Sequence, residues 1–250
     1  MHIPPELIGF IAIGFGAQLV DGALGMAYGV TASSMLLGLG IPPATTSATV
    51  HAAECFTTGA SLASHHLLGN IDRGLFWRLL IPGVIGAAVG AYMLGQLPGE
   101  KLKPWIASYL LLLGLVILFK AIRKHQPRLA ISKVRSLGFV GALVDTMGGG
   151  GWGPVVTSSL LARGNDPRRT IGTVNAVEFF VTLTASIVFL ATLGLDHWHI
   201  IVGLAIGGVL AAPLGAWFIR WVKPRPLLIA VGILVVGLSI RTLLIHFGVI

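Results

Sequence analysis

Asp21, His51, Glu54, Asp145 and Glu178 all fall inside strongly apolar stretches of this chain. An ionisable group at membrane depth is costly to hold there, so it marks a proton relay, an ion site or a substrate contact by default. Glu54 belongs to a polar stripe, Ser47, His51, Glu54, Thr58, Ser61 and His65, spaced at alternating steps of four and three, which is one face of a helix. Asn175, Glu178 and Thr182 repeat that face farther along. Glutamates so placed could contact a substrate or coupling ion. They could also act as a structural clasp, accepting hydrogen bonds from free backbone N–H groups.

Asp21 and Asp145 each stand just before a glycine break, Gly22 to Gly25 in one case and Gly148 to Gly151 in the other. A carboxylate there can cap the half-helix that follows by accepting its unpaired N–H groups. Two membrane aspartates also raise an intramembrane aspartyl protease, but Leu143-Val144-Asp145-Thr146-Met147 lacks the Gly-x-Gly-Asp setting of such enzymes. Backbone N–H groups at a helix N-terminus form an anion site through their partial positive charge. The candidate substrate contacts are therefore Gly25, Met26, Tyr28, His51, Gly149, Gly150, Gly151, Trp152 and Asn175, with Glu54, Glu178, Asp21 and Asp145 as coupling or structural acids.

These residues come in pairs because the chain is written twice. Asp21–Glu54 laid over Asp145–Glu178, 124 residues on, gives 13 identities in 34 positions without a gap. Average residue frequencies would give roughly three. Gly25 matches Gly149, Gly29 matches Gly153, Pro43 matches Pro167 and Glu54 matches Glu178, while Tyr28 faces Trp152 and His51 faces Asn175. Internal duplication, broken helices and acids at depth together read as a secondary transporter.

Composition agrees. Of 250 residues 55% are hydrophobic and 10% charged, with mean hydropathy +0.89, which excludes an ordinary soluble domain. The net charge of +8 does not signal nucleic acid, because the 17 Lys and Arg cluster in short loops between apolar runs. The single Cys55 excludes an intramolecular disulfide. His125, His197, His199 and His246 lack metal-ligand spacing. Neither a metal nor a cofactor is expected. Met1–Glu6 has no basic region, so no cleavable signal peptide is expected. Trp77, Trp105, Trp198, Trp217 and Trp221 read as interfacial anchors.

The apolar segments run over 7–39, 44–68, 75–97, 104–122, 136–162, 169–193, 198–222 and 227–247. The first and fifth are interrupted at their glycines. The arm Leu7–Val20 is only 14 residues, about 21 Å as helix, and Trp152–Ala162 is shorter, so neither is expected to cross alone. If all eight segments crossed, the two sides would receive nine and eight Lys and Arg. If the first and fifth are re-entrant hairpins the split becomes 14 inside and 3 outside, the three being Lys101, Lys103 and Arg241. The expected fold is an all-α integral membrane protein of two inverted repeats, each a re-entrant broken-helix hairpin plus three transmembrane helices. Repeat 1–123 holds the hairpin 7–39, repeat 136–250 holds the hairpin 136–162, and 124–135 is a cytoplasmic linker.

The run Asp145-Thr146-Met147-Gly148-Gly149-Gly150-Gly151-Trp152-Gly153-Pro154, then Asp166-Pro167 and Gly172-Thr173-Val174-Asn175, resembles the sulfite exporter TauE/SafE family of multipass permeases. The duplicated halves extend the resemblance over essentially the whole chain. The first copy departs from it, with Asp21-Gly22-Ala23-Leu24-Gly25-Met26-Ala27 in place of a glycine run and Val30 where proline is expected. The resemblance implies a non-enzymatic carrier of small sulfur oxyanions, sulfonates or carboxylates in the cytoplasmic membrane. An anion beside ionised carboxylates is repelled by a few kcal/mol per close pair at an effective dielectric of about 20. Proton coupling reconciles the two, with glutamates holding protons and helix N-termini holding the anion. Sodium is the alternative coupling ion. A cation transporter using the acids and His51, or a non-transporting scaffold, remains open, as does a homo-oligomer. Reporter fusions at Met1 and Ile250 should both read outside and one at Gln126 inside. A cytoplasmic C-terminus together with a cytoplasmic 120–135 loop removes the hairpin arrangement.

Overall fold

The computed structural model describes residues 5–24, 26–97, 99–122, 133–161, 165–194, 197–218 and 224–249, and its regular elements there are all helices. Gly25 and the expected linker as far as residue 132 lie outside the described residues. The helices are α1 Pro5–Leu24, α2 Tyr28–Gly38, α3 Pro43–Leu67, α4 Arg73–Gln96, α5 Gly99–Ile122 and α6 Val134–Gly148. A π-helical turn Gly153–Thr157 then runs into α7 Ser158–Leu161, followed by α8 Pro167–Leu193, α9 Trp198–Phe218 and α10 Pro224–His246.

Local chemistry sets the boundaries. The Asp72 carboxylate accepts from Leu75 N–H at 2.9 Å to start α4, and Asp166 accepts from Arg169 N–H at 2.8 Å to start α8. Pro43 and Pro167 occupy first-turn positions, where a missing N–H costs nothing. Gly149 ends α6 in the left-handed region at φ 70°. At the first break Ala27 takes φ 108°, the one positive φ outside glycine among the described residues. It stands where the second copy has Gly151, so the first copy meets the same backbone demand with a strained residue, at roughly 1–2 kcal/mol.

One expectation is corrected. The first arm does not stop near Val20: α1 is 20 residues, about 30 Å, and Asp21 lies in its last turn. Its length therefore permits a crossing, whereas α2 with 11 residues and α6 with 15 are too short. Four helices among the described residues are long and apolar enough to span, within Arg73–Gln96, Lys101–Ile122, Arg168–Leu193 and Leu228–His246. The 25 residues of α3 have the length, but the Ser, Thr, His and Glu stripe lowers its hydropathy. In α9 the described apolar window is only Trp198–Ala212.

The two halves interlock. Helix α1 packs along α9 and α6 along α4, so the first helix of each half lies on a helix of the other. The contacts correspond nearly residue for residue: Gly14 rests on the Leu204 backbone, and Gly138, its counterpart, rests on the Leu79 backbone. Helices α5 and α10 run antiparallel, with Gly114 against Val235 and Val236, Gly232 against Leu118, and Arg225 on the Ile122 carbonyl. Helices α3 and α8 do the same, from His65 at Gly172 through Gly59 at Phe179 to Cys55 at Ser186. Glycine permits these backbone approaches. Gly14→Val should lower the unfolding temperature or abolish folded yield, since overpacking costs about 1–3 kcal/mol or more. Gly9→Val, on the same helix with nothing within 4 Å, should match wild type in a thermal melt.

Candidate functional site

The two breaks meet. A Cβ on Gly29 would lie 2.8 Å from Gly150 Cα, 3.0 Å from Glu54 Oε1 and 3.1 Å from the Gly149 carbonyl oxygen. A Cβ on Gly150 would collide with the Gly29–Val30 peptide, and one on Gly153 would lie 2.7 Å from Met26 Cβ. Glycine on both sides lets the first turn of α2 and the unwound segment at Gly150 come this close. Unwound backbone at this depth must find partners in the protein. Pro154 has no N–H to offer the Gly150 carbonyl four residues back, and the Tyr109 hydroxyl from α5 donates to it instead at 3.2 Å. The Ser33 hydroxyl of α2 donates to the Gly149 carbonyl, and the Ser47 hydroxyl of α3 to that of Thr146.

Asp145, 3% exposed, ties this break together. Its Oδ1 accepts from Trp152 N–H at 2.8 Å across the glycine run, and its Oδ2 lies 3.2 Å from His51 Nε2. His51 is wholly buried, and its Nδ1 lies 2.8 Å from the Ser47 carbonyl oxygen. A carbonyl only accepts, so Nδ1 carries a hydrogen. The contact between Nε2 and Oδ2 then also holds a proton, as imidazolium with carboxylate or as imidazole with carboxylic acid. His51 and Asp145 form the one close contact between a basic and an acidic side chain among the described residues.

The first break repeats the cap but not the pair. Asp21 Oδ1 accepts from Tyr28 N–H, at a longer 3.4 Å. Asn175, in the position of His51, donates through Nδ2 to Ser61 Oγ at 3.2 Å. Glu54 is buried and Glu178 partly exposed. Glu54 lies within electrostatic reach of Glu178, Asp145 and Asp21, and Glu178 within reach of Asp21 and Asp145. Four carboxyl groups in one neighbourhood resist being ionised together without a counter-charge, because like charges repel strongly in a medium of low dielectric. Among the described residues no three His, Cys, Asp or Glu side chains are arranged to hold a metal ion.

The aromatic candidates are deeply seated. Tyr28 donates its hydroxyl to the Leu204 carbonyl at 3.3 Å, and Trp152 donates its indole N–H to that of Val174 at 3.2 Å. The Met26 thioether lies 3.8 Å from Ser158 Oγ. Sequence reasoning missed Tyr109, whose signal was a hydroxyl-bearing ring inside the apolar run 104–122. It missed Ser33 as well, and the buried hydroxyls of Thr31 and Ser34 beside it, which have no partner among the described residues. It counted Lys120 as a loop charge. The side chain instead turns inward from the last turn of α5, half-buried, with Nζ donating to the Pro154 carbonyl at 3.1 Å.

Residues 10–242, which contain both breaks and all four acids, match the family model described as sulfite exporter TauE/SafE. The chain belongs to the sulfite exporter TauE/SafE family. It is a multipass membrane transporter of that family. It is also 43% identical over 249 residues to a protein of Bacillus subtilis (strain 168) described as probable membrane transporter protein YtnM, covering 96% of this chain and 83% of that one. No solved structure matches the chain.

In this family member the geometry separates position from charge at Asp145. Asn in its place can still accept from Trp152 N–H and can donate to a neutral His51, so Asp145→Asn should keep its unfolding temperature near wild type. Asp145→Ala leaves His51 Nε2 and Trp152 N–H unpartnered in the interior, and should cost about 3–5 kcal/mol in a denaturation experiment. An Asp145→Ala protein as stable as wild type would show that the carboxylate does not hold the break.

Proposed function

We propose that this transporter is a secondary active carrier that moves a small anion of the sulfite, sulfonate or small-carboxylate class across the cytoplasmic membrane. It does so by alternating access, coupled to protons. In this reading the repeats 1–123 and 136–250 are inverted, with both termini outside, and the two breaks face each other from opposite sides. The antiparallel course of the equivalent helices α5 and α10, and of α3 and α8, supports the inversion. The observation that carries the reading is the meeting of both breaks at Gly29 and Gly150, with Glu54 beside them.

The helix N-termini here are not empty. Asp145 holds Trp152 N–H and Asp21 holds Tyr28 N–H, so an incoming anion competes with a carboxylate of the protein. Competition of this kind is a route to coupling. A protonated carboxyl group is a weaker acceptor than a carboxylate, so proton uptake by the acids loosens the cap and lowers the repulsion that the anion meets. Glu54 and Glu178 hold the coupling protons, and Lys120 supplies positive charge beside the second break. The same occupied caps favour a second reading, in which the acids and His51 bind a cation directly.

Proteoliposome flux tests both readings. Glu178→Gln keeps size and hydrogen bonding but cannot ionise. It should leave substrate binding and substrate-for-substrate exchange largely intact while uphill transport and its pH dependence are lost. A stable Glu178→Gln protein that still concentrates substrate with unchanged pH dependence refutes the coupling role. Inward positive charge accompanying solute uptake, with no anion moved, establishes the cation reading.

A further inference from the structure

Away from the central site, α4 and α6 run side by side in the same direction, with Gly86 on Phe139 and Gly90 on Leu143. Their N-terminal ends leave a groove of about 440 Å³, lined by Trp77, Arg78, Ile81, Pro82, Ile85 and Arg135. Gly138 rests on the backbone of Leu79, which sets Arg78 and Arg135 at the same level of the bundle. Both side chains are exposed. Ile81 and Ile85 follow Arg78 on one helix face, about 4.5 and 10.5 Å farther along the axis. They are 59% and 51% exposed, an apolar trough leading away from two cations.

Neither guanidinium has a carboxylate within 4.0 Å among the described residues. Asp72 and Asp166, in the adjoining cavity that Arg78 also lines, are engaged as caps of α4 and α8. The fold does not demand these charges. At the equivalent positions of the α1–α9 pair the chain has Ile11 for Arg135 and Val202 for Arg78. Trp77 at the rim is an amphipathic ring of the kind that settles among lipid headgroups. Arginine suits phosphate because its planar fork gives two parallel hydrogen bonds.

We propose that this groove binds an anionic phospholipid, its phosphate between Arg78 and Arg135 and one acyl chain along Ile81 and Ile85. Basic pockets between membrane helices hold acidic headgroups by this chemistry. The site is independent of which solute the carrier moves.

The test uses the full chain in detergent with added cardiolipin, phosphatidylglycerol, or phosphatidylcholine of matched acyl chains. Readouts are thermal unfolding and lipid retained in native mass spectrometry. Wild type should be stabilised and should retain lipid with the two anionic species but not with phosphatidylcholine, and inorganic phosphate alone should give no shift. Arg78→Gln with Arg135→Gln should weaken anionic-lipid retention about tenfold or more, the loss of at least one charge-assisted hydrogen bond. Lys101→Gln with Lys103→Gln removes equal charge elsewhere and should leave retention unchanged. Ile85→Trp, which fills the trough and keeps both arginines, should also lower retention and covers the case of a double variant that does not fold. Equal retention by the arginine double variant and wild type overturns the proposal, as does equal stabilisation by phosphatidylcholine or by phosphate alone.

Discussion

Unwound backbone inside a hydrocarbon layer must have its carbonyls and N–H groups answered by the protein itself. The structure around the second break follows from that requirement. Opening the helix at Gly149–Gly151 releases carbonyls that α2, α3 and α5 each answer with one hydroxyl, from Ser33, Ser47 and Tyr109. Asp145 then spans the gap to Trp152 N–H. Three helices are thereby tied to one short segment. Glycine at 29 and 150 removes the side chains that would keep the two breaks apart.

The duplicated halves have diverged in how firmly they hold their breaks. The second has the glycine run, Pro154, the His51–Asp145 pair, and two side chains of α5 on its backbone. The corresponding positions of α10, Ile233 and Leu244, carry no polar group. The first break has a longer cap at Tyr28 and an alanine at positive φ. In a pair of equivalent elements so unequally secured, the first is the one that yields at lower cost.

The charge distribution is equally uneven. Asp21, Glu54, Asp145 and Glu178 gather where the breaks meet, while the described arginines lie toward the ends of α4, α6, α8 and α10. Lys120 alone turns its ammonium toward a broken helix among the described residues. A central site rich in carboxyl groups and poor in cations cannot take an anion unless protons, or that lysine, offset the repulsion.

Much of this was legible in the sequence. Glycine runs and prolines act through local backbone sterics, so the positions of the breaks could be read directly at Gly149–Pro154. The helical face of Ser47, His51 and Glu54 followed from spacing, because a helix fixes which residues share a side. The duplication required only alignment of Asp21 with Asp145. Tertiary structure decided the rest, because contact between distant segments has no local signature. That His51 pairs with Asp145, ninety-four positions away, depends on α3 lying across the second break. Nothing local singles out Tyr109, and Lys120 reads as a loop charge, until α5 is placed beside Gly150 and Pro154. The end of α1 also escaped the pattern: Gly22 suggested a stop near Val20, yet packing of α1 along α9 carries the helix on to Leu24. Propensity is a weak local preference, and long-range burial overrides it.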